Sequence, residues 1–300
     1  MQAYILTLRT SKRMATFDSC ATQFGFFLDK DHFASVAVLP PDDPKRPCEA
    51  LIAAVCLWGC HLSPPDSAFS SIESQMLRVA LHQRSTMIMD HEANARRVLH
   101  SVQAEILLAF YFYRRGTLIE AKVHAAAAAS FVTGTGMQGI HSIIEEPPRE
   151  LEVVGNGHAS YLPPPRNVPE TGELINGFWE AYLIANQLAS VSTTADCTEI
   201  FDAPHLLINC PWPLDSRSYR EVCLHLQVIL NALTLLNQGK LPPRASGTVD
   251  SFLRCSPSST QRNAQHDSYL AMLTKSTVLL RRATVLTDST LRKAHCYHLW

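Results

Sequence analysis

The chain has 300 residues, 46% of them hydrophobic, with 26 Lys and Arg against 27 Asp and Glu for a net charge of −1. That is enough apolar material for one large domain or two small ones. The near-balance of charge argues against the concentrated basic face by which proteins grip duplex DNA.

Glycine is scarce at 12 residues beside frequent Leu and Ala, which favours helices over a β-sandwich. The N-terminal MQAYILTLRTSKRM puts apolar residues before basic ones, the reverse of a secretory signal, so a soluble, non-secreted protein is expected and residues 1–16 read as a tail. Phe17–Phe33, with TQFGFFLDKDHF, reads as an aromatic-rich short helix or turn, followed by the loop LPPDDPKRP. In CEALIAAVCLWGCHLS, Leu51, Ala54, Val55, Trp58 and Leu62 recur every three or four residues and predict a helix with a wide buried face, stopped by Pro64–Pro65. Ser70 and Glu73 form a capping-box pattern at the start of the next helix, which carries Ile72, Met76, Ala80 and Met87 on one side. Ala93–Arg115 has the most regular pattern, through Ala95, Leu99, Val102, Ile106, Ala109 and Tyr113, and Gly116 ends it. Leu118–Val132 lines up Leu118, Ala121, Ala125, Ala128 and Val132, and its alanines allow a close helix approach before Gly134 and Gly136 terminate it.

Residues 144–171 hold six prolines and read as an exposed loop. Helical spacing returns at Glu173–Val191 through Leu174, Phe178, Tyr182, Ala185, Leu188 and Ala189. After a turn-rich stretch ending in INCPWPL, a helix is expected over Tyr219–Leu236, a polar linker over 239–267, and a last helix over Ser268–Leu286 with Leu270, Leu273, Val278, Leu280 and Ala283. No strand alternation persists, so the fold class is all-α, a multi-helix domain over 17–286 with a C-terminal tail at 287–300. The longest apolar run, Ile106–Tyr113, is far too short to span a membrane.

None of the nine cysteines forms a C-x-x-C pair, so neither a structural zinc site nor a disulfide framework is expected, and Cys56 and Cys60 read as small buried hydrophobes. G-x-S-x-G, P-loop, H-E-x-x-H and EF-hand patterns are absent, and no enzyme is expected. Gly134, Gly136 and Gly139 match G-x-G-x-x-G but follow a helix rather than a strand, which lacks the phosphate-cradling geometry. Glu145–Glu146 read as solvated loop charges, and His295, Cys296 and His298 as an unanchored tail cluster. Phe178, Trp179 and Tyr182 read as core rather than as a ligand-stacking site.

Several of these stretches, in this order, resemble the middle homology region of fungal zinc-cluster transcription factors of the basidiomycete type. TQFGFFLDKDHF resembles its opening segment. RPCEALIAAVCLWGCHLS, with Trp58 and Gly59, resembles the helix H-P-x-L-x-x-A-I-x-L-W-G, Arg46–Pro47 standing where His-Pro is usual, and ESQMLRVALHQ resembles the next helix. Gln103, Ala104, Leu108, Ala109, Tyr111 and Gly116 carry its Q-A-x-x-L-L-A-x-Y-x-x-x-x-G pattern. GELINGFWEAYLIANQLASV carries the paired Phe178–Trp179, and INCPWPL, with Pro211, Trp212 and Pro213, resembles its exit motif; GTVDSFL and LAMLTKSTVLLRRATVL resemble later parts.

The resemblance implies a nuclear, helical regulatory domain of a factor controlling RNA polymerase II transcription. In it the named motif residues are structural. DNA is bound only through a two-zinc, six-cysteine cluster absent from this chain, and zinc is implied only for that cluster. A homodimer partner or co-regulator and a small-molecule effector are the implied partners. The usual G-L-H-x-I appears only as G-I-H-S-I at Gly139–Ile143, or in a poorer match at Gly136–Ile140, and the end stops where the family continues with further helices, as a truncated chain would. The alternative is a free-standing interaction or small-molecule-sensing module derived from that family without DNA binding.

Overall fold

The computed structural model describes residues 13–64, 70–87, 95–140, 162, 165–191, 200–201, 206–215, 217–221, 248–254 and 267–297. The helices are α1 (Lys30–Ala37), α2 (Glu49–His61), α3 (Glu73–Met87), α4 (Ala95–Arg114), α5 (Leu118–Gly134), α6 (Val168–Val191), α7 (Thr248–Arg254) and α8 (Tyr269–Tyr297). Short 3-10 turns stand at Ala21–Phe24, Ser70–Ile72 and Met137–Gly139. No strand occurs among the described residues, and the fold is all-α.

The stripe that predicts α4 also makes it central. Leu99, Val102, Ile106 and Ala109 are buried, and α4 packs against α2, α5 and α6. Ala121, Ala125, Ala128 and Val132 of α5 are fully buried, small side chains that let α5 lie close against α4 and α6. Every residue of α2 from Ala50 to Cys60 is buried, as a helix that is apolar all round requires. No described helix is long and apolar enough to cross a membrane.

Several expectations need correction. Residues 13–18 are helical and Arg13, Met14 and Phe17 are buried, so the expected N-terminal tail, 1–16, ends inside the core. Helix α1 was hidden in the aromatic segment; Asp29 caps it, its Oδ1 accepting from the His32 N–H at 3.0 Å. Tyr113 is 38% exposed despite its place on the α4 stripe, whereas Tyr111 and Phe112 of the same turn are buried. Helix α6 begins at Val168, inside the expected loop 144–171. Asn167 Oδ1 accepts from the Glu170 N–H at 2.9 Å, Glu170 Oε2 accepts from the Arg166 N–H at 2.6 Å, and Pro169 sits in the first turn, where its missing N–H has no helical partner to lose.

Helix α7 interrupts the expected linker 239–267, tied down by the Thr248 N–H donating to Ile208 O at 2.7 Å. Helix α8 runs on through residues 287–297, read as tail, and buries Ala271, Thr274 and Val278, whereas Leu280 is 57% exposed. Residues 144–161, Glu145–Glu146 included, and 222–236 of the expected helix Tyr219–Leu236 lie outside the described residues, as does His298; residues 217–221 are helical.

Candidate functional site

The motif residues converge on two sets of joints between helices. At the first, the Trp58 ring stacks on Phe24 at 3.8 Å between centroids and 22°, and its Nε1 donates to Leu107 O of α4 at 2.9 Å. Gly59, beside it, needs its bare Cα: a Cβ would stand 2.3 Å from Arg13 O, so only glycine lets residues 13–18 cross α2 this closely. Gln103 is fully buried and grips the following turn from both sides. Its Oε1 accepts from the Phe27 N–H at 2.8 Å, and its Nε2 donates to Gly25 O at 2.9 Å. Ala104 and Leu108 fill the buried surface beside it.

The Tyr111 hydroxyl donates to Glu73 Oε1 at 2.8 Å, and that oxygen also takes hydrogen bonds with His61 Nδ1 at 2.9 Å and Arg115 Nη1 at 3.3 Å. Burial resists ionisation of Glu73, but the Tyr111 and His61 hydrogen bonds and the Arg115 charge outweigh it and hold the carboxyl below its ordinary range. Burial and the Glu73 carboxylate together push Tyr111 up to about 12. Gly116 closes α4 at φ 76°, a left-handed cap that lets the Thr117 N–H donate back to Phe112 O at 3.0 Å.

The second set belongs to the C-terminal half. Phe178 and Trp179 are fully buried, as expected for core residues; Trp179 Nε1 donates to Pro211 O at 2.5 Å, and its ring stacks on Trp212 at 4.7 Å. Pro213 O accepts from Ser268 Oγ, which in turn caps α8 through the Ala271 N–H. The segment 206–215 is thus a strap across α6, α7 and α8, held at its other end by the Asn209 and Cys210 N–H groups on Gln138 O. Trp58, Gly59, Gln103, Tyr111, Trp179, Pro211 and Pro213 thus each hold a joint between elements.

Three polar features escaped the sequence reading. Glu105 is fully buried and joins three helices, its Oε1 on Arg84 Nε of α3 and its Oε2 on His124 Nδ1 of α5, both at 2.6 Å. A carboxylate in the buried phase of an apolar helix was the available signal, since such a charge requires partners. Glu180, on α6, is buried beside Gly25, and burial alone pushes its carboxyl up to about 8. His100 is buried with Nδ1 unpaired; burial and the neighbouring Arg96, His32 and Arg97 charges depress it to about 3, so it is neutral. Cys56 and Cys60 are buried, as expected. No group of three or more His, Cys, Asp or Glu among the described residues is placed to hold a metal. Gly134, Gly136 and Gly139 sit at the end of α5 and in the Met137–Gly139 turn, without the strand a dinucleotide fingerprint needs.

One groove of about 270 Å³ opens between residues 13–18, α1 and Val55 of α2. Met14, Phe17, Phe26, Phe33 and Ala34 line it, with Asp18 and Lys30 half-exposed at its rim. No family model, no curated protein and no solved structure matches the chain.

Proposed function

We propose that the chain is the regulatory and interaction module of a fungal zinc-cluster transcription factor, acting in the nucleus on RNA polymerase II transcription, with DNA binding supplied by a zinc cluster outside it. The observation that supports this reading is the placement of the quoted motif residues. Trp58, Gly59, Gln103, Tyr111 and Gly116 hold the first set of helix joints and Phe178, Trp179 and Pro211–Pro213 the second. Residues that specify a fold in this way mark a scaffold, and a net charge of −1 suits a scaffold that does not hold DNA itself.

The test fuses the chain to an unrelated DNA-binding domain upstream of a reporter gene. Reporter output is expected to change several-fold relative to the DNA-binding domain alone. Ala109→Asp, which buries an unpaired charge in α4, is expected to abolish the change. Arg217→Ala, on a side chain 86% exposed, is expected to leave it intact. Output indistinguishable from the DNA-binding domain alone refutes the regulatory reading.

A further inference from the structure

We infer that the groove beside α1 binds a small, neutral, largely apolar molecule with a single hydrogen-bonding head, an aromatic ketone or alcohol being the class that fits. The inference deepens the regulatory reading by giving the module a ligand, and rests on it for its biological consequence.

The walls select an aromatic body. Phe17 and Phe26 meet at 5.5 Å and 79°, and Phe26 and Phe33 at 5.3 Å and 69°. The rings pack on one another, and what each leaves on the groove is aromatic edge or face, the two geometries a guest ring can meet. At about 270 Å³ the groove is far roomier than a single water needs, and its walls are mostly apolar. It is the right order for a one- or two-ring compound.

The rim selects the head. Lys30 Nζ donates to Asp18 O at 3.1 Å and lies 3.5 Å from Asp18 Oδ1. The two charges cancel: a carboxylate on the guest meets Asp18, and an ammonium meets Lys30. A carbonyl can accept from Lys30, or a hydroxyl donate to Asp18, without leaving either charge unpaired.

The floor carries the consequence. Phe17 lies 6.5 Å from the Trp58 ring, and Phe26 precedes the Phe27 N–H that Gln103 holds. A guest packed over Phe17, Phe26 and Phe33 therefore stiffens residues 13–37 against α2 and α4, next to the Trp58 joint.

The test is equilibrium dialysis of the purified chain with 1-tetralone and 2-naphthol as neutral probes and 2-naphthoate as the charged counterpart. Tryptophan emission, to which Trp58 contributes beside Trp179, Trp212 and Trp300, serves as a second readout. The neutral probes are expected to saturate one site and to bind at least about tenfold tighter than 2-naphthoate. Ala34→Trp places bulk over the groove from an exposed position and is expected to weaken both neutral probes at least about tenfold, with melting unchanged. Asp18→Asn, at a side chain 60% exposed, leaves Lys30 unopposed and is expected to erase or reverse the preference over 2-naphthoate. No saturable binding of either neutral probe, or equal binding of 2-naphthoate to the parent, overturns the inference. So does unchanged selectivity in Asp18→Asn, which decides the matter even where Ala34→Trp does not fold. Dialysis tests the site whatever the reporter does, and the reporter tests the regulatory reading whatever dialysis shows.

Discussion

Replacing Gln103 with Met keeps the side chain's length and removes both ends of its clamp. Gly25 and Phe27 are buried, so the Gly25 carbonyl and the Phe27 N–H would lose their bonds of 2.9 and 2.8 Å with no water to replace them. Each buried group left unsatisfied costs about 1–3 kcal/mol, or about 2–6 kcal/mol for the pair. Against a total stability of about 5–15 kcal/mol, that is a large fraction. The melting temperature, followed by circular dichroism at the helical minimum, is expected to fall by roughly 5–20 °C. Gln103→Glu adds a second arm. At neutral pH its carboxylate can accept from Phe27 but cannot donate to Gly25, and it carries a buried charge. Once protonated it can do both, so its deficit relative to the parent should shrink as the pH falls. A Gln103→Met protein melting within about 2 °C of the parent would refute the reasoning, since the turn would then be held by its apolar packing alone.

Ile106→Ala, at a fully buried position of α4, is expected to lose about 2–5 kcal/mol in denaturant unfolding, and a loss under ~1 kcal/mol would mean α4 is not central. Gly59→Ala should destabilise, because its Cβ meets Arg13 backbone rather than a flexible side chain, whereas Gly134→Ala, with nothing within 4 Å, should be neutral or gain up to about 1 kcal/mol; equal melting of the two would contradict the close crossing. Glu180, raised to about 8 in the folded state, stabilises the fold fully below its unfolded pKa and loses that contribution as pH rises through about 8. Between pH 5 and 9, Glu180→Gln should therefore melt with a shallower pH dependence than the parent, and parallel profiles would rule out this carboxyl as the source.

The elements legible in the sequence were those whose own periodicity decides them. Leu99 to Ala109 and Ala121 to Val132 each describe one buried face, and no distant residue was needed to see it. Helix α1 was read only as a short helix or turn within Phe17–Phe33, and the first turn of α6 as loop, although each opens on a cap, Asp29 in one and Asn167 with Pro169 in the other. Tyr113 and Leu280 follow their stripes yet face solvent, since a helical pattern does not record where its neighbours stop. Glu105 and Glu180 were passed over for the opposite reason: a carboxyl is read as exposed by default, even where it falls in the buried phase of a helix as Glu105 does, and its partners come from other helices or its burial rests on a proton it retains. The groove is another product of assembly, made by residues 13–18 crossing α2 at Gly59.

The Gln103 clamp also sets a timetable for synthesis. Phe27 and Gly25 leave the ribosome 76 and 78 positions ahead of the side chain that holds them. At roughly 5–20 residues per second, that is an interval of about 4–15 s. Throughout it Phe24, Phe26 and Phe27 have neither Gln103 nor α4 to cover them, and they form a short aromatic cluster that a holding chaperone would bind. Slow translation between codons 28 and 103 lengthens that exposure without changing a single residue of the product, so synonymous changes there should alter the yield of folded chain.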